Sequence, residues 1–199
     1  MNKQDIFMVG VGGQGIVLAS DILGQVALTA GYDVKKTDTL GMAQRGGSVV
    51  SHVRIAQQVH APLIQEGEAD MLVAFEKLEA ARWGYFLKPG GLAIVNNHAM
   101  PPLSVSLGVA CYPSDEEVKD ILKRCTDKIC FINGTSQAKG LGDIRTINML
   151  MLGCISSFLP IDIKIWQECI TRGLPQKILK VNLAAFDLGR KDMVDVHLG

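Results

Sequence analysis

The sequence predicts an α/β fold: a Rossmann-like, mixed, mainly parallel sheet with helices on both faces and a C-terminal helical tail. Three observations predict it. Apolar runs of strand length alternate with stretches of helical periodicity along most of the chain. Gly10, Gly12 and Gly15 make a G-x-G-x-x-G turn between the first such run and the first helical stretch. The connection from Thr39 to Gly47 is too short for a crossover, so the strand after it pairs antiparallel and the sheet is mixed.

Ile6 to Val9 is a short apolar run closed by glycine, as a buried parallel strand requires. The helix from Gln14 to Ala30 carries Ile16, Ala19, Ile22, Leu23, Val26 and Ala27 on one face, and Gly31 stops it. Tyr32 to Thr37 is the second strand. Ser48 to Ala56 is the third, with Val49, Val53 and Ile55 on one face and Val50, His52 and Arg54 on the other. A charged connection from Pro62 to Asp70 leads to a strand over Met71–Phe75 and a helix over Glu76–Phe86. Pro89-Gly90-Gly91 reads as a turn before a strand at Leu92–Val95, and Leu107–Cys111 reads as another strand.

Ser114 and Glu117 form a capping box at the start of the next helix. Ile129–Asn133 is the last strand. From Thr135 the chain is helical, with a wide apolar face from Ala138 to Ile155 and a stop at Pro160. That methionine-rich face is core, or a packing surface for another subunit. Two further helices, Ile163–Arg172 and Pro175–Gly189, follow, and the charged end from Asp187 reads as loose. Residues 1–199 make one domain, with residues 143–190 as its helical C-terminal part.

Composition excludes several function classes. The 199 residues carry 20 Lys plus Arg and 20 Asp plus Glu, so no net field draws nucleic acid or an anionic membrane surface. No apolar run spans a bilayer, and the first strand begins too early for a signal peptide. The five cysteines, Cys111, Cys125, Cys130, Cys154 and Cys169, are odd in number and contain no C-x-x-C. That pattern fits buried thiols in a reducing cytoplasm, and not a disulfide scaffold, a zinc site or an iron–sulfur cluster held by this chain alone.

Two segments carry chemistry. The glycine turn lets backbone approach a ligand, and the helix after it aims free N–H groups and a positive dipole end at the same place. Read plainly, the same glycines only allow tight helix–strand packing. A ribose-binding acid lies about 20 residues on in dinucleotide folds, which makes Asp33 or Asp38 the candidates, with Asp38 better placed at its strand's end. The second segment, Gly41 to Ser48, holds Arg45-Gly46-Gly47. It is either a turn with a solvated arginine or an anion site, with a guanidinium fork and glycine amides. His98 ends a strand, where active groups gather, but just ahead of a proline pair it reads more readily as a loop residue. His52 and His60 carry less signal.

Together these residues form a pattern. Gly10-Val-Gly12-Gly13-Gln14-Gly15, then Gly41-Met-Ala-Gln-Arg45-Gly46-Gly47-Ser48, then Asn148 to Gly153 resemble the gamma-type domain of 2-oxoacid:ferredoxin oxidoreductases. Met42-Ala43-Gln44 resembles the arylpyruvate branch, whose substrate is indolepyruvate. Glu79-Ala-Ala-Arg82, Pro89-Gly-Gly91, Asn182 and Ala185-Phe186 extend the likeness over nearly the whole chain. The resemblance implies a subunit, inactive alone, of an enzyme that oxidatively decarboxylates an aryl 2-oxoacid to an acyl-coenzyme A and reduces ferredoxin. It puts thiamine diphosphate and 4Fe-4S clusters on a large partner subunit, through which ferredoxin is reached, and leaves this chain with none of its own beyond a share in binding coenzyme A. It implies Arg45 as the catalytic contact, and Gly10, Gly12, Gly13, Gln14, Gly15, Gly46, Gly47 and Asn148 as ligand-binding positions, with no metal ligand. Gamma subunits serving pyruvate, 2-oxoglutarate or ketoisovalerate, a nicotinamide-dependent dehydrogenase, and a non-enzymatic nucleotide-binding module are the competing readings.

Overall fold

Strand β1 (Gln4–Val11) is the hub of the molecule, buried from Asp5 onward. In this computed structural model, which describes residues 3–40 and 46–197, β1 lies inside a six-stranded sheet of order β2-β3-β1-β4-β5-β6. The remaining strands are β2 (Asp33–Leu40), β3 (Ser48–Ala56), β4 (Ala69–Ala74), β5 (Leu87–Asn96) and β6 (Lys128–Ile132). β1, β4, β5 and β6 are parallel to their neighbours in turn, while β3 runs antiparallel to both β1 and β2. The short connection before β3 forces that reversal. β3 also pairs with β1 and so stands between β1 and β2, and the β1–α1–β2 unit skips one place in the sheet.

The alternation of β1 feeds two layers. Ile6 and Met8 face the larger core, beneath α1 (Ile16–Thr29), α6 (Ile147–Ser156), α7 (Ile163–Gly173) and α8 (Gln176–His197). Phe7 and Val9 face the smaller core, beneath α2 (Lys77–Trp83) and α4 (Asp115–Lys123). In that smaller layer Phe7 stacks on Phe86 with ring centroids 4.1 Å apart. His52 meets Phe7 edge-on, and its Nδ1 accepts a hydrogen bond from the Ile64 N–H at 3.1 Å. Burial, with the Arg54 charge, holds the His52 pKa below the ordinary imidazole value, so the ring stays neutral. Across the β1–β3 ladder the fully buried Asp5 carboxylate takes both Arg54 Nε at 3.0 Å and Nη2 at 3.1 Å. Such a forked pair fixes register as well as charge.

At the other end of the chain α6 and α8 cross in contact. A Cβ on Gly153 would sit 2.0 Å from the Phe186 carbonyl oxygen, and one on Gly189 would sit 2.0 Å from that of Leu150. Only two glycines permit this approach.

Several sequence expectations change. Leu107–Cys111 is not a strand. It follows the short helix α3 (Leu103–Ser106), its Leu107 and Val109 are exposed, and Gly108 takes φ +71. The last parallel place in the sheet belongs to β6, the strand expected at Ile129–Asn133. The chain beyond Asp187 is not loose: α8 continues to His197, because Met193 is buried in the larger core. Pro89-Gly90-Gly91 lies inside β5 as an irregularity, where the pairing with β4 shifts register between Ala69 and Met71. The helix expected from Thr135 is broken into α5 (Gly134–Gly140), a 3-10 turn at Ile144–Thr146, and α6. Gly142, at φ +95, makes the break, and Asp143 caps the 3-10 turn by accepting from the Arg145 N–H.

Candidate anion-binding site

The carboxyl ends of β1, β4 and β5 are tied together by side-chain amides. Gln14 folds back on its own turn: its Oε1 accepts from the Val11 N–H at 2.8 Å, and its Nε2 donates to the Phe75 carbonyl at 3.0 Å. The same Phe75 oxygen accepts from Asn96 Nδ2 at 2.9 Å. Asn96 then donates to Thr135 Oγ1 at 2.8 Å and accepts from the Thr135 N–H at 3.1 Å. The result is a hydrogen-bonded floor that links three strand ends.

Above this floor the turn residues separate by role. Gly10 is a packing glycine, since a Cβ there would lie 2.7 Å from Gln14 Oε1 and 2.9 Å from Phe75 Cβ. Gly15, at φ +78, packs on buried Asn148, whose Nδ2 would be 2.6 Å from an added Cβ. Gly13, at φ +105, faces open space. The two glycine segments meet directly: the Gly12 N–H donates to the Gly47 carbonyl at 2.8 Å. Ser48, next in line, is anchored by donating to buried Glu79 at 2.5 Å. Gly46, at φ +80, also has open space where a Cβ would be.

A cavity of about 230 Å³ opens here, lined by Gly12, Gly13 and Gln14 on one side and by His98, Thr135 and Arg145 on another. The Arg145 side chain is 80 % exposed and forks onto Asp143, with Nε 2.9 Å from Oδ1 and Nη2 2.7 Å from Oδ2. That pair holds the Asp143 carboxyl below its usual range. Burial and the Lys139 charge push the His98 pKa down, which keeps its ring neutral near pH 7. The Gly13 turn, the start of α1 and the Arg145–Asp143 ion pair therefore border a single opening, and a helix start of this kind favours an anion. A larger cavity of about 660 Å³ lies at the opposite end of the sheet, where Gln4, Gly90 and Lys128 line it. Its lining also holds Lys88, Asp70 and Asp127, but it lies at the amino ends of the parallel strands, away from the carboxyl-end crevice where α/β sheets bind ligands.

The structure brings Gly10, Gly12, Gly13, Gln14, Gly15, Gly46, Gly47 and Asn148 together at one edge. Arg45 lies outside the described residues, as do Met42, Ala43 and Gln44. Asp38 does not reach the turn. β3 stands between its strand and β1, and the Asp38 carboxylate accepts from Ser51 Oγ at 2.5 Å and pairs with Lys36. Asp33 accepts from the Val59 N–H. A ribose acceptor for a nicotinamide dinucleotide is thus missing from its place. Sequence reasoning missed Arg145, Thr135 and Asn96. The signal for Arg145 was the Gly140-Leu-Gly142-Asp143 break, which reads as a helix interruption once the glycines are weighed.

The family model for pyruvate ferredoxin/flavodoxin oxidoreductase matches residues 5–191. The chain belongs to this family. It is 39 % identical over 194 residues to the indolepyruvate oxidoreductase subunit IorB of Pyrococcus horikoshii, covering 96 % of each chain. It is 28 % identical over 193 residues to the 2-oxoglutarate synthase subunit KorC of Methanothermobacter thermautotrophicus, covering 95 % of this chain and 94 % of that one. Among solved structures, the gamma subunit of the keto/oxoacid ferredoxin oxidoreductase of Geobacter sulfurreducens superposes with a TM-score of 0.71 at 22 % identity, over 96 % of this chain and 99 % of that one. The 2-oxoglutarate:ferredoxin oxidoreductase of Magnetococcus marinus, solved with 2-oxoglutarate, coenzyme A and succinyl-CoA bound, superposes with a TM-score of 0.75 at 21 % identity. There the fold covers 98 % of this chain but 32 % of that one. These two likenesses establish that the gamma-subunit fold of the family is the fold seen here.

Proposed function

We propose that this chain is the small subunit of an indolepyruvate-type 2-oxoacid:ferredoxin oxidoreductase, acting in the oxidative decarboxylation of an aryl 2-oxoacid to its acyl-coenzyme A. The observation that carries this reading is the Gly12–Gly47 hydrogen bond, which joins the Arg-Gly-Gly segment to the glycine turn that lines the opening. The aryl substrate class is supported by 39 % identity to an indolepyruvate subunit against 28 % to a 2-oxoglutarate one over nearly the same length. The absence of a ribose acceptor at Asp38 speaks against the dehydrogenase reading.

The chain's own part is to bind and orient. The Gly13 turn, the α1 N-terminus and Arg145 receive phosphate charge of coenzyme A, and Arg45 takes the substrate carboxylate or a coenzyme A phosphate. Among the described residues no three His, Cys, Asp or Glu side chains converge as metal ligands. Burial pushes the Cys154 and Cys130 thiols up, away from the thiolate form. Thiamine diphosphate with its metal, and the iron–sulfur clusters, are assigned in this reading to the large subunit, along with the path to ferredoxin. Among the described residues no helix is long and apolar enough to cross a membrane; a cytoplasmic setting is proposed from the five free cysteines.

Reconstitution tests this. The isolated chain is expected to be colourless and inactive, and mixing it with the thiamine- and cluster-bearing chain is expected to give indolepyruvate-dependent ferredoxin reduction. Ferredoxin reduction by the small chain alone would end the proposal. In the complex, Arg45→Ala is expected to impair turnover and leave assembly intact.

A further inference from the structure

From Asn97 to Ser114 the chain has no Asp, Glu, Lys or Arg, although 20 % of its residues are charged. The middle of this stretch is a small projecting finger built on α3. Leu103 is 71 % exposed, Leu107 68 % and Val109 80 %. The finger is ordered by its own backbone: the Val109 and Ala110 N–H groups both donate to the Ser104 carbonyl, at 2.9 Å and 3.2 Å.

A single buried carboxylate clasps both ends of the finger. Glu76 Oε1 accepts from the Met100 N–H at 2.9 Å and from the Tyr112 hydroxyl. The Tyr112 oxygen in turn accepts from the Leu78 N–H at 3.2 Å, and the His98 carbonyl accepts from the Lys77 N–H at 3.1 Å. The finger is thus fixed to the start of α2, and it stands on the rim of the anion-binding opening, where His98 and Met100 are lining residues.

Exposed leucine and valine held in place by a buried acid call for a partner surface. We propose that the finger Met100–Tyr112 is the docking surface for the large subunit, which meets it with an uncharged, apolar face and so roofs the opening beside it. This rests on the functional reading above. Two features favour that occupant. The relatives of this chain are subunits, so a further polypeptide is there to cover the patch, and the finger adjoins the opening assigned above to ligand binding. The finger also offers no charge to steer or repel, so an apolar face matches it.

The test uses the full chain with the co-expressed thiamine- and cluster-bearing chain. Introducing Leu107→Asp with Val109→Asp would bury unpaired carboxylates, and is expected to weaken association by about tenfold or more. The isolated variant should melt as the wild type does, since both side chains are solvated. Leu63→Asp, at an exposed leucine away from the finger, should associate normally. A second measurement needs no variant. Cys111 is exposed in the free chain, and maleimide labelling of it should be suppressed in the complex. If the wild type assembles but the double variant assembles equally well and Cys111 stays reactive, the finger is not the docking surface and the functional reading survives. If the wild type does not bind the large chain at all, the functional reading itself fails, and the docking proposal with it. If the isolated wild type is a dimer that the double variant dissociates, the finger joins two copies of this chain and the proposal is overturned.

Discussion

Two sets of glycines in this molecule look alike in the sequence and differ completely in purpose. At the α6–α8 crossing, Gly153 and Gly189 leave 2.0 Å between an added Cβ and the facing backbone oxygen. At the anion-binding opening, Gly13 and Gly46 would meet nothing within 4 Å, and each has a positive φ. The first pair exists so that two helices can touch. The second keeps peptide amides uncovered. Gly15 does both, being left-handed and pressed against Asn148. A glycine motif therefore identifies a ligand site only where the missing side chain leaves room for a ligand.

Substitutions can break or sharpen this contrast. The largest effect is expected from Gly153→Ala or Gly189→Ala, which must separate α6 from α8. A loss of about 3 kcal/mol or more in urea unfolding is expected, and an unchanged midpoint would show that the crossing is not as tight as described. Gly15→Ala combines strain with a clash on Asn148 and should cost about 1–3 kcal/mol while also lowering turnover of the complex. Gly13→Ala has no clash, so its stability loss should be about 1–2 kcal/mol or less, but it should raise the KM for coenzyme A. Equal effects at Gly13 and Gly15 on both readouts would erase the distinction.

Arg145→Gln breaks an exposed ion pair with Asp143, which should move the melting temperature little, and it should raise the coenzyme A KM by about tenfold, the scale of one charge-assisted contact. The smallest effect concerns pH. The His52 pKa is depressed in the folded chain, so below its ordinary value of 6.5 the unfolded chain takes up a proton that the folded chain refuses. Stability should fall as pH drops through 6.5 and continue to fall until the folded-state pKa is passed. His52→Gln should flatten that part of the profile, and an unaltered slope would assign it to another group.

Local patterns in the chain carried much of the architecture. The glycine turn, the antiparallel β3, the capping box at Ser114 and the apolar face of α6 are all properties of neighbouring residues, and periodicity or loop length exposes them. The insertion of β3 between β1 and β2 was not legible, because strand order depends on pairing between distant segments. Leu107–Cys111 imitates a strand because its residues are apolar, but the sheet offers it no partner and Gly108 turns it away. The charged end of α8 looks loose until Met193 is seen to reach the larger core. At the site, the two glycine segments are each legible in the sequence, and the structure joins them at Gly12 and Gly47. Arg145 is not, because the helix break at Gly140–Asp143 is a local signal but its approach to a turn more than a hundred residues earlier is not.

The Phe75 carbonyl has one more implication. Its oxygen is shared by Gln14 and Asn96, so the three strand ends beneath the opening are already locked before any guest arrives. An incoming charge then meets donors that need no rearrangement, and little of its binding enthalpy is spent on reshaping the host. Loosening that single oxygen, through Gln14 or Asn96, should slow capture without touching a single atom of the guest.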